Sequence, residues 1–319
     1  MNVFITGGTG FIGRALVADL LIKGCVVSAL VRDEQPGFAD GVKQVMVKDI
    51  ISENNWPCKL KGIDVVIHLA GRAHMMKDSA PNPLKQFRLV NTRATLELAK
   101  QAAKVGTKRF VFISSIKVNG EVTEKGVPFQ PDDECLPHNP YALSKYEAEQ
   151  GLLLLAKETG MEVVIIRPPL VYGPGVRANF ASMLTWVKRG LPLPFGAINN
   201  RRSLLALDNL VSFIGCCIQA PKAANEVFLV ADAEDLSTTE LLQKVSKVFG
   251  KKSCLLAIPV SWLTCLARLL GKGDVMHKLC DSLQVDSSKA EKLLGWEPVV
   301  TMDEALKKTV DAYLNEKTI

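Results

Sequence analysis

Residues 3–13 read Val3-Phe4-Ile5-Thr6-Gly7-Gly8-Thr9-Gly10-Phe11-Ile12-Gly13, a short apolar run that ends in glycines and opens onto helical spacing. Gly7 allows a tight turn, Gly10 lets a pyrophosphate approach the backbone, and Gly13 lets the following helix pack close. The phosphates would sit at the positive end of that helix, beside its first residues Phe11 and Ile12. A glycine triad alone is a weak signal. Between a strand and a helix at the head of a βαβ chain, it predicts a dinucleotide-binding loop.

Outward from this loop, strand-like and helix-like patterns alternate. Phe11–Lys23 has Leu16, Leu20 and Leu21 on one helical face, and Val26–Val31, Val45–Val47 and Val65–Leu69 read as strands. A long helix pattern follows over Leu84–Val105, then a strand (Phe110–Ile113), a helix (Pro140–Thr159) and a strand (Val163–Ile166). This alternation predicts right-handed βαβ units and an α/β fold, a Rossmann-type doubly wound parallel sheet. After Arg167 the prolines and glycines at 168, 169, 173–175, 192, 194 and 196 suggest loops over a ligand cleft. Ser237-Thr238-Thr239-Glu240 reads as a capped helix start. The expected division is a dinucleotide-binding domain over 1–172 plus about 203–229. A smaller, mostly helical C-terminal substrate domain takes about 173–202 plus 230–319.

Composition bounds the function. The 319 residues carry 39 Lys+Arg against 33 Asp+Glu, a net charge of +6, and no block of five basic residues. That suits a small anionic ligand and argues against nucleic acid. The longest uncharged stretch, Ser253–Ala267, contains Pro259 and falls short of the ~20 apolar residues of a spanning helix. The neighbouring segment Ile258–Leu270 could lie on a membrane surface, but the expectation is that it packs as a core helix. No basic region precedes the first apolar run, so no signal peptide is expected and the cytoplasm is the expected location. Eight cysteines lack C-x-x-C or zinc-ligand spacing and read as reduced, structural thiols, with no metal site.

Cofactor choice turns on the end of the second strand, Ala29-Leu30-Val31-Arg32-Asp33. A guanidinium at Arg32, with Arg14 as a second partner, can bind a ribose 2′-phosphate, whereas Asp33 could instead take the 2′-hydroxyl. The first reading favours NADP(H) over NAD(H). Asp49-Ile50 should pass the adenine, and His68-Leu69-Ala70-Gly71 should lie beside the pyrophosphate, with His68 packed in the core.

Tyr141-Ala142-Leu143-Ser144-Lys145 begins a helix, and the i,i+4 spacing puts phenol and ammonium on one face. A nearby Lys⁺ favours the phenolate, which lets Tyr141 exchange a hydroxyl proton. Ser115 ends a strand upstream and can hold the same substrate oxygen.

With these residues in view, the chain resembles the extended short-chain dehydrogenase/reductase family, in its NAD-dependent epimerase/dehydratase, nucleotide-sugar branch. The matching stretches are Gly7–Gly13, Ser114–Gly120, Tyr141 with Lys145, 167–175, 202–210 and 286–298. The resemblance implies a catalytic triad of Ser115, Tyr141 and Lys145. It adds Asn91 and Pro168 on the cofactor side. On the UDP-sugar side it implies Arg202 and Asn179 at the diphosphate, with Arg72, Lys117 and Asn119 from the loops 72–80 and 117–130. A loop at 173–200 completes the expected pocket. Ile116-Lys117 stands where the 4,6-dehydratases carry Asp-Glu, which argues against dehydration. Val31-Arg32 and Val118-Asn119-Gly120 point to an NADPH-dependent reductase of a UDP-4-keto-6-deoxy-N-acetylhexosamine in surface-polysaccharide synthesis. A UDP-hexose or UDP-N-acetylhexosamine 4-epimerase with tightly bound NAD is the alternative, and a non-catalytic NADP-binding sensor or scaffold is the reading from another class. The resemblance also implies a homodimer through Leu84–Val105 and Pro140–Thr159.

Overall fold

A computed structural model describes residues 1–53, 55–72, 82–269, 271 and 273–316, with backbone alone at 274, 275 and 316. The expected pocket positions 73–80, and Leu270 of the expected core helix, lie outside the described residues.

Seven parallel strands form the main sheet: β1 (Asn2–Thr6), β2 (Val26–Val31), β3 (Lys43–Met46), β4 (Val65–His68), β5 (Arg109–Ile113), β6 (Glu162–Arg167) and, from late in the chain, Val227–Leu229. Two short strands, β7 (Leu170–Tyr172) and β8 (Leu204–Ala206), pair with each other, and Val227–Leu229 is β9. The spatial order is β3-β2-β1-β4-β5-β6-β9. Val3, Phe4 and Ile5 of β1 are fully buried, because helices cover both faces of the sheet. Each such side chain contributes about 1.5–3 kcal/mol of burial. One face packs against helices Phe11–Ile22 and Leu207–Gln219, the other against Ala94–Lys104 and Pro140–Thr159. A third core gathers Tyr172, Phe180, Leu184, Leu242, Leu306 and Tyr313 beside the sheet.

Three details depart from or refine the sequence pattern. The helix expected over Leu84–Val105 is broken: Pro83–Phe87 is α-helical, Arg88–Arg93 is a π-turn, and Ala94–Lys104 resumes the α-helix. The start at Ser237 is a complete capping box, with Glu240 N–H donating to Ser237 Oγ and Ser237 N–H to Glu240 Oε2. The segment expected as a core helix forms Val260–Leu269, but only Leu263 and Ala267 pack inward, while Trp262, Leu266 and Leu269 face out. No helix among the described residues is long and apolar enough to cross a membrane.

Candidate active site

The strand order reverses between β1 and β4, and the carboxyl ends of the strands at such a reversal are where open α/β sheets have their ligand crevice. The glycine loop forms one wall. Gly7 has φ +74°, and a Cβ on it would lie 2.8 Å from the Ala70 nitrogen. A Cβ on Gly13 would lie 2.1 Å from the Gly7 carbonyl oxygen, so the helix presses on the loop itself. Gly10 is the N-cap of helix Phe11–Ile22 and offers no capping side chain, and the first turn holds no acidic residue. The free N–H groups and positive helix end there fit a bound diphosphate. Leu69 N–H donates to the Thr6 carbonyl (3.1 Å) and Ala70 N–H to the Thr6 hydroxyl (3.2 Å), which ties the two strand ends together. A Cβ on Gly71 would come within 3.2 Å of Asn91 Oδ1 and 3.3 Å of Lys145 Nζ, so the chain passes close to both side chains here.

Helix Pro140–Thr159 supplies two members of the expected triad. Asn139 caps it through Ala142 N–H (2.8 Å), and Pro140 at the first position supplies a helix-ready φ. The Tyr141 phenol faces the Ser115 side chain and packs edge-on against Phe87 (6.0 Å between centroids). Burial raises the phenol above its ordinary value, and the Ser115 side chain opposes that rise. Ser115 caps a short turn, Ile116–Val118, accepting from Lys117 N–H at 3.3 Å. Lys145 Nζ donates to the Ile113 carbonyl (2.9 Å) and stands 4.4 Å from the centre of the Phe112 ring. Its burial pulls the ammonium down to about 8, partly countered by the charge of Glu149. The expected lowering of Tyr141 by Lys145 is absent from this arrangement, because the ammonium is turned onto the Ile113 carbonyl. A phenol, a hydroxyl and an ammonium are nonetheless gathered at one end of the crevice, the set needed to move a proton at a sugar oxygen.

Behind them runs a buried polar chain. His68 is bonded to the Thr6 hydroxyl (2.7 Å) and to the Thr95 hydroxyl (2.9 Å), and it stacks on Phe112. Burial, then the charge of Lys145, pushes it down to about 3, so it stays neutral. Thr95 donates to the Asn91 carbonyl (2.7 Å) inside the π-turn. The Asn91 side chain donates to Ser144 Oγ (3.0 Å) and to the Arg72 carbonyl (3.1 Å), and accepts from Arg72 N–H (2.8 Å). A π-turn at such a position spaces one side chain differently from its neighbours.

The other predicted residues are more dispersed. The Pro168 carbonyl accepts from Ile116 N–H (3.0 Å), next to Ser115. Asp49 is exposed and accepts from Ile51 N–H (3.0 Å), with Ile50 half-buried. Lys117 pairs with Glu121 (3.3 Å). Asn119 is buried, donating to the Gln130 carbonyl (3.1 Å) and accepting from Arg167 (2.9 Å). Arg202 is half-buried and donates to the Asp281 carbonyl (2.9 Å), and Asn179 is exposed near the start of helix Ala178–Arg189.

Comparison with known proteins assigns this arrangement to a family. The profile of the NAD dependent epimerase/dehydratase family matches residues 3–231. The chain belongs to that family. It is 45% identical to a UDP-glucose 4-epimerase of Vibrio cholerae over 98% of this chain and 95% of that protein. Among solved structures, UDP-glucuronic acid 4-epimerase of Bacillus cereus in complex with NAD superposes with TM-score 0.79 at 22% identity, covering 99% of both chains. MoeE5 in complex with UDP-glucose and NAD gives TM-score 0.79 at 23% identity over 100% of both.

These findings correct the expected preference for NADP(H): the solved epimerase/dehydratase-like structures hold NAD. The positions of the two side chains did not enter the arginine argument. Arg32 is exposed beyond the end of β2, while Arg14 donates to the Thr9 carbonyl (3.0 Å) and lies over the Phe38 ring. Thr6, Thr95, Ser144 and Glu149 had no assigned role in the sequence reading, and Arg167 entered it only as the first residue of the matching stretch 167–175. Only Glu149 left a signal there, its i,i+4 spacing from Lys145.

Proposed function

We propose that this chain is a nucleotide-sugar 4-epimerase acting on a UDP-hexose or UDP-N-acetylhexosamine with NAD. The supporting observation is that Ser115, Tyr141 and buried Lys145 are gathered beside Gly71, next to the glycine loop. The 45% identical relative bears the name of that reaction, which favours the epimerase over the ketoreductase. With NAD, Asp33, exposed just past β2 and about 20 residues beyond Gly13, is suited to the ribose hydroxyl.

Bound NAD supplies a reversible two-electron acceptor for C4. Tyr141 takes the proton of the C4 hydroxyl and later returns it. Ser115 holds that oxygen against the phenol. Lys145 is proposed to hold the nicotinamide ribose, and the positive ring of oxidised NAD would favour the ionised phenol. Arg202 and Asn179 are proposed to hold the diphosphate, and the homodimer through 84–105 and 140–159 is likewise a proposal.

The test is to incubate the purified chain with UDP-glucose, UDP-galactose and their N-acetyl counterparts, with catalytic NAD. The expected result is interconversion of a pair of C4 epimers without net change in NADH absorbance. Stoichiometric consumption of NADPH with a UDP-4-keto sugar, and no interconversion, would return the function to the reductase.

A further inference from the structure

The far end of the substrate-side layer combines two features that the proposed chemistry does not use. The helix Val260–Leu269 buries Leu263 and Ala267 against Ile258, Phe195 and Met276. Its opposite side carries Trp262 (73% exposed), Leu266 (56%) and Leu269 (80%), spaced i, i+4 and i+7. Leu256 is also exposed, just before the helix. Leu193 exchanges backbone bonds with Cys254 (2.9 Å) and Leu256 (2.8 Å), which brings the exposed side chains of Trp186 and Leu191 to the same end.

The second feature is charge. Residues 250–280 contain five Lys or Arg and one acidic residue, so this short segment carries a net +4 of the chain's +6. Lys252, Arg268 and Lys278 are exposed there, and Arg189 is exposed on the neighbouring helix. Exposed Trp and Leu rimmed by Lys and Arg is the pattern of a helix lying in a membrane interface.

We propose that this face docks on an anionic bilayer surface, with Val260–Leu269 lying in the headgroup layer and the basic residues meeting lipid phosphates. A second copy of this chain is the competing occupant. A two-fold contact through this face would set the same cationic residues opposite one another, which disfavours it. An anionic lipid surface complements both the apolar ridge and its rim. Docking would also bring Arg202 and Thr238 near the bilayer, since the carbonyl of Asp281 accepts from Arg202 (2.9 Å) and that of Leu279 from Thr238 (2.6 Å). The inference is independent of the proposed reaction.

The experiment is co-sedimentation of the full chain with vesicles of phosphatidylglycerol and phosphatidylcholine in equal parts, against phosphatidylcholine alone. Binding is expected only to the anionic vesicles and should weaken with salt. Trp262→Ser combined with Leu269→Ser should reduce it by about tenfold or more, the loss expected when two large apolar side chains no longer enter the interface. Lys252→Glu combined with Arg268→Glu should reduce it at least as much, by about tenfold or more. Neither pair touches the crevice, so turnover of a soluble UDP-sugar should be unchanged, which also shows that both variants fold. Absence of vesicle binding overturns the proposal, as does binding that survives both double substitutions. Light scattering covers the competing occupant: an oligomer dispersed by the apolar pair, with no vesicle binding, would assign the face to contacts between copies.

Discussion

Lys145 and Glu149 lie four residues apart on the helix Pro140–Thr159, both buried, and their surroundings differ. Lys145 has one carbonyl, that of Ile113, and the face of Phe112, and burial drags its ammonium down to about 8. Glu149 is fully buried but is met by Arg167 through Nε (3.1 and 3.2 Å) and Nη2 (2.6 Å). Arg167 in turn reaches Asn119 (2.9 Å) and Cys135 Sγ (3.3 Å). One turn of the helix therefore holds an under-compensated charge at the crevice, and the next holds a charge whose partners are complete. The first is ready to interact with a ligand. The second fastens β6 to the helix that carries Tyr141 and Lys145.

The largest effect that could break this contrast is at Tyr141. Tyr141→Phe should cut turnover by about 10²–10⁴-fold, the usual contribution of a positioned proton carrier. Its urea midpoint should stay near that of the parent, since the phenol bonds only at the crevice. A large loss of stability instead would make Tyr141 part of the framework.

Glu149→Ala should do the reverse of Tyr141→Phe. Removing one member of a buried ion pair costs about 3–5 kcal/mol, because the other is left uncompensated. Equilibrium unfolding should show that loss, and Arg167→Ala should show a similar one. If either variant kept full stability and lost only turnover, the fastening role would be wrong.

At Lys145 the sign is opposite again. Its folded value, about 8, lies below the ordinary 10.5, so the charged form is disfavoured by folding. Stability from this group rises as pH climbs from about 8 to about 10.5, where the unfolded chain binds a proton that the folded chain does not. Lys145→Met should therefore gain up to about 3 kcal/mol near pH 7 while losing activity, and the gain should shrink toward pH 10. In the parent, kcat/KM should fall above about pH 8 as the ammonium deprotonates. Urea titrations at the two pH values check the first claim, and a pH–rate profile checks the second.

Arg32→Ala should have the smallest effect. NAD carries no 2′-phosphate for the guanidinium to meet, so NAD affinity by titration should stay unchanged. A marked loss would restore a cofactor role to this arginine.

The parts of the molecule that the sequence disclosed are those whose signals are local. The glycine loop, the β1–β6 alternation, the Tyr141/Lys145 spacing and the Ser237 cap each need only a few consecutive residues. Other features depend on what the fold brings alongside. Arg167 finds Glu149 on a neighbouring element, and Asn91 is drawn into a π-turn by bonds to Ser144 and to the backbone of Arg72. The arginine argument for NADP failed for the same reason. It depended on where Arg32 and Arg14 would turn, and Arg14 was already engaged by Thr9 and Phe38. For Val260–Leu269 the sequence left a surface helix and a core helix both open, because an apolar run does not say which of its sides will be covered.

The central claim is that Tyr141 carries a proton while C4 is reversibly oxidised and its own hydrogen comes back. Deuterium at C4 of UDP-glucose tests it directly, with the product followed by NMR in ordinary water. The account predicts UDP-galactose that keeps its deuterium at C4, formed with catalytic NAD and lost in Tyr141→Phe. Washout of the deuterium to solvent, or product formed undiminished by Tyr141→Phe, would contradict it.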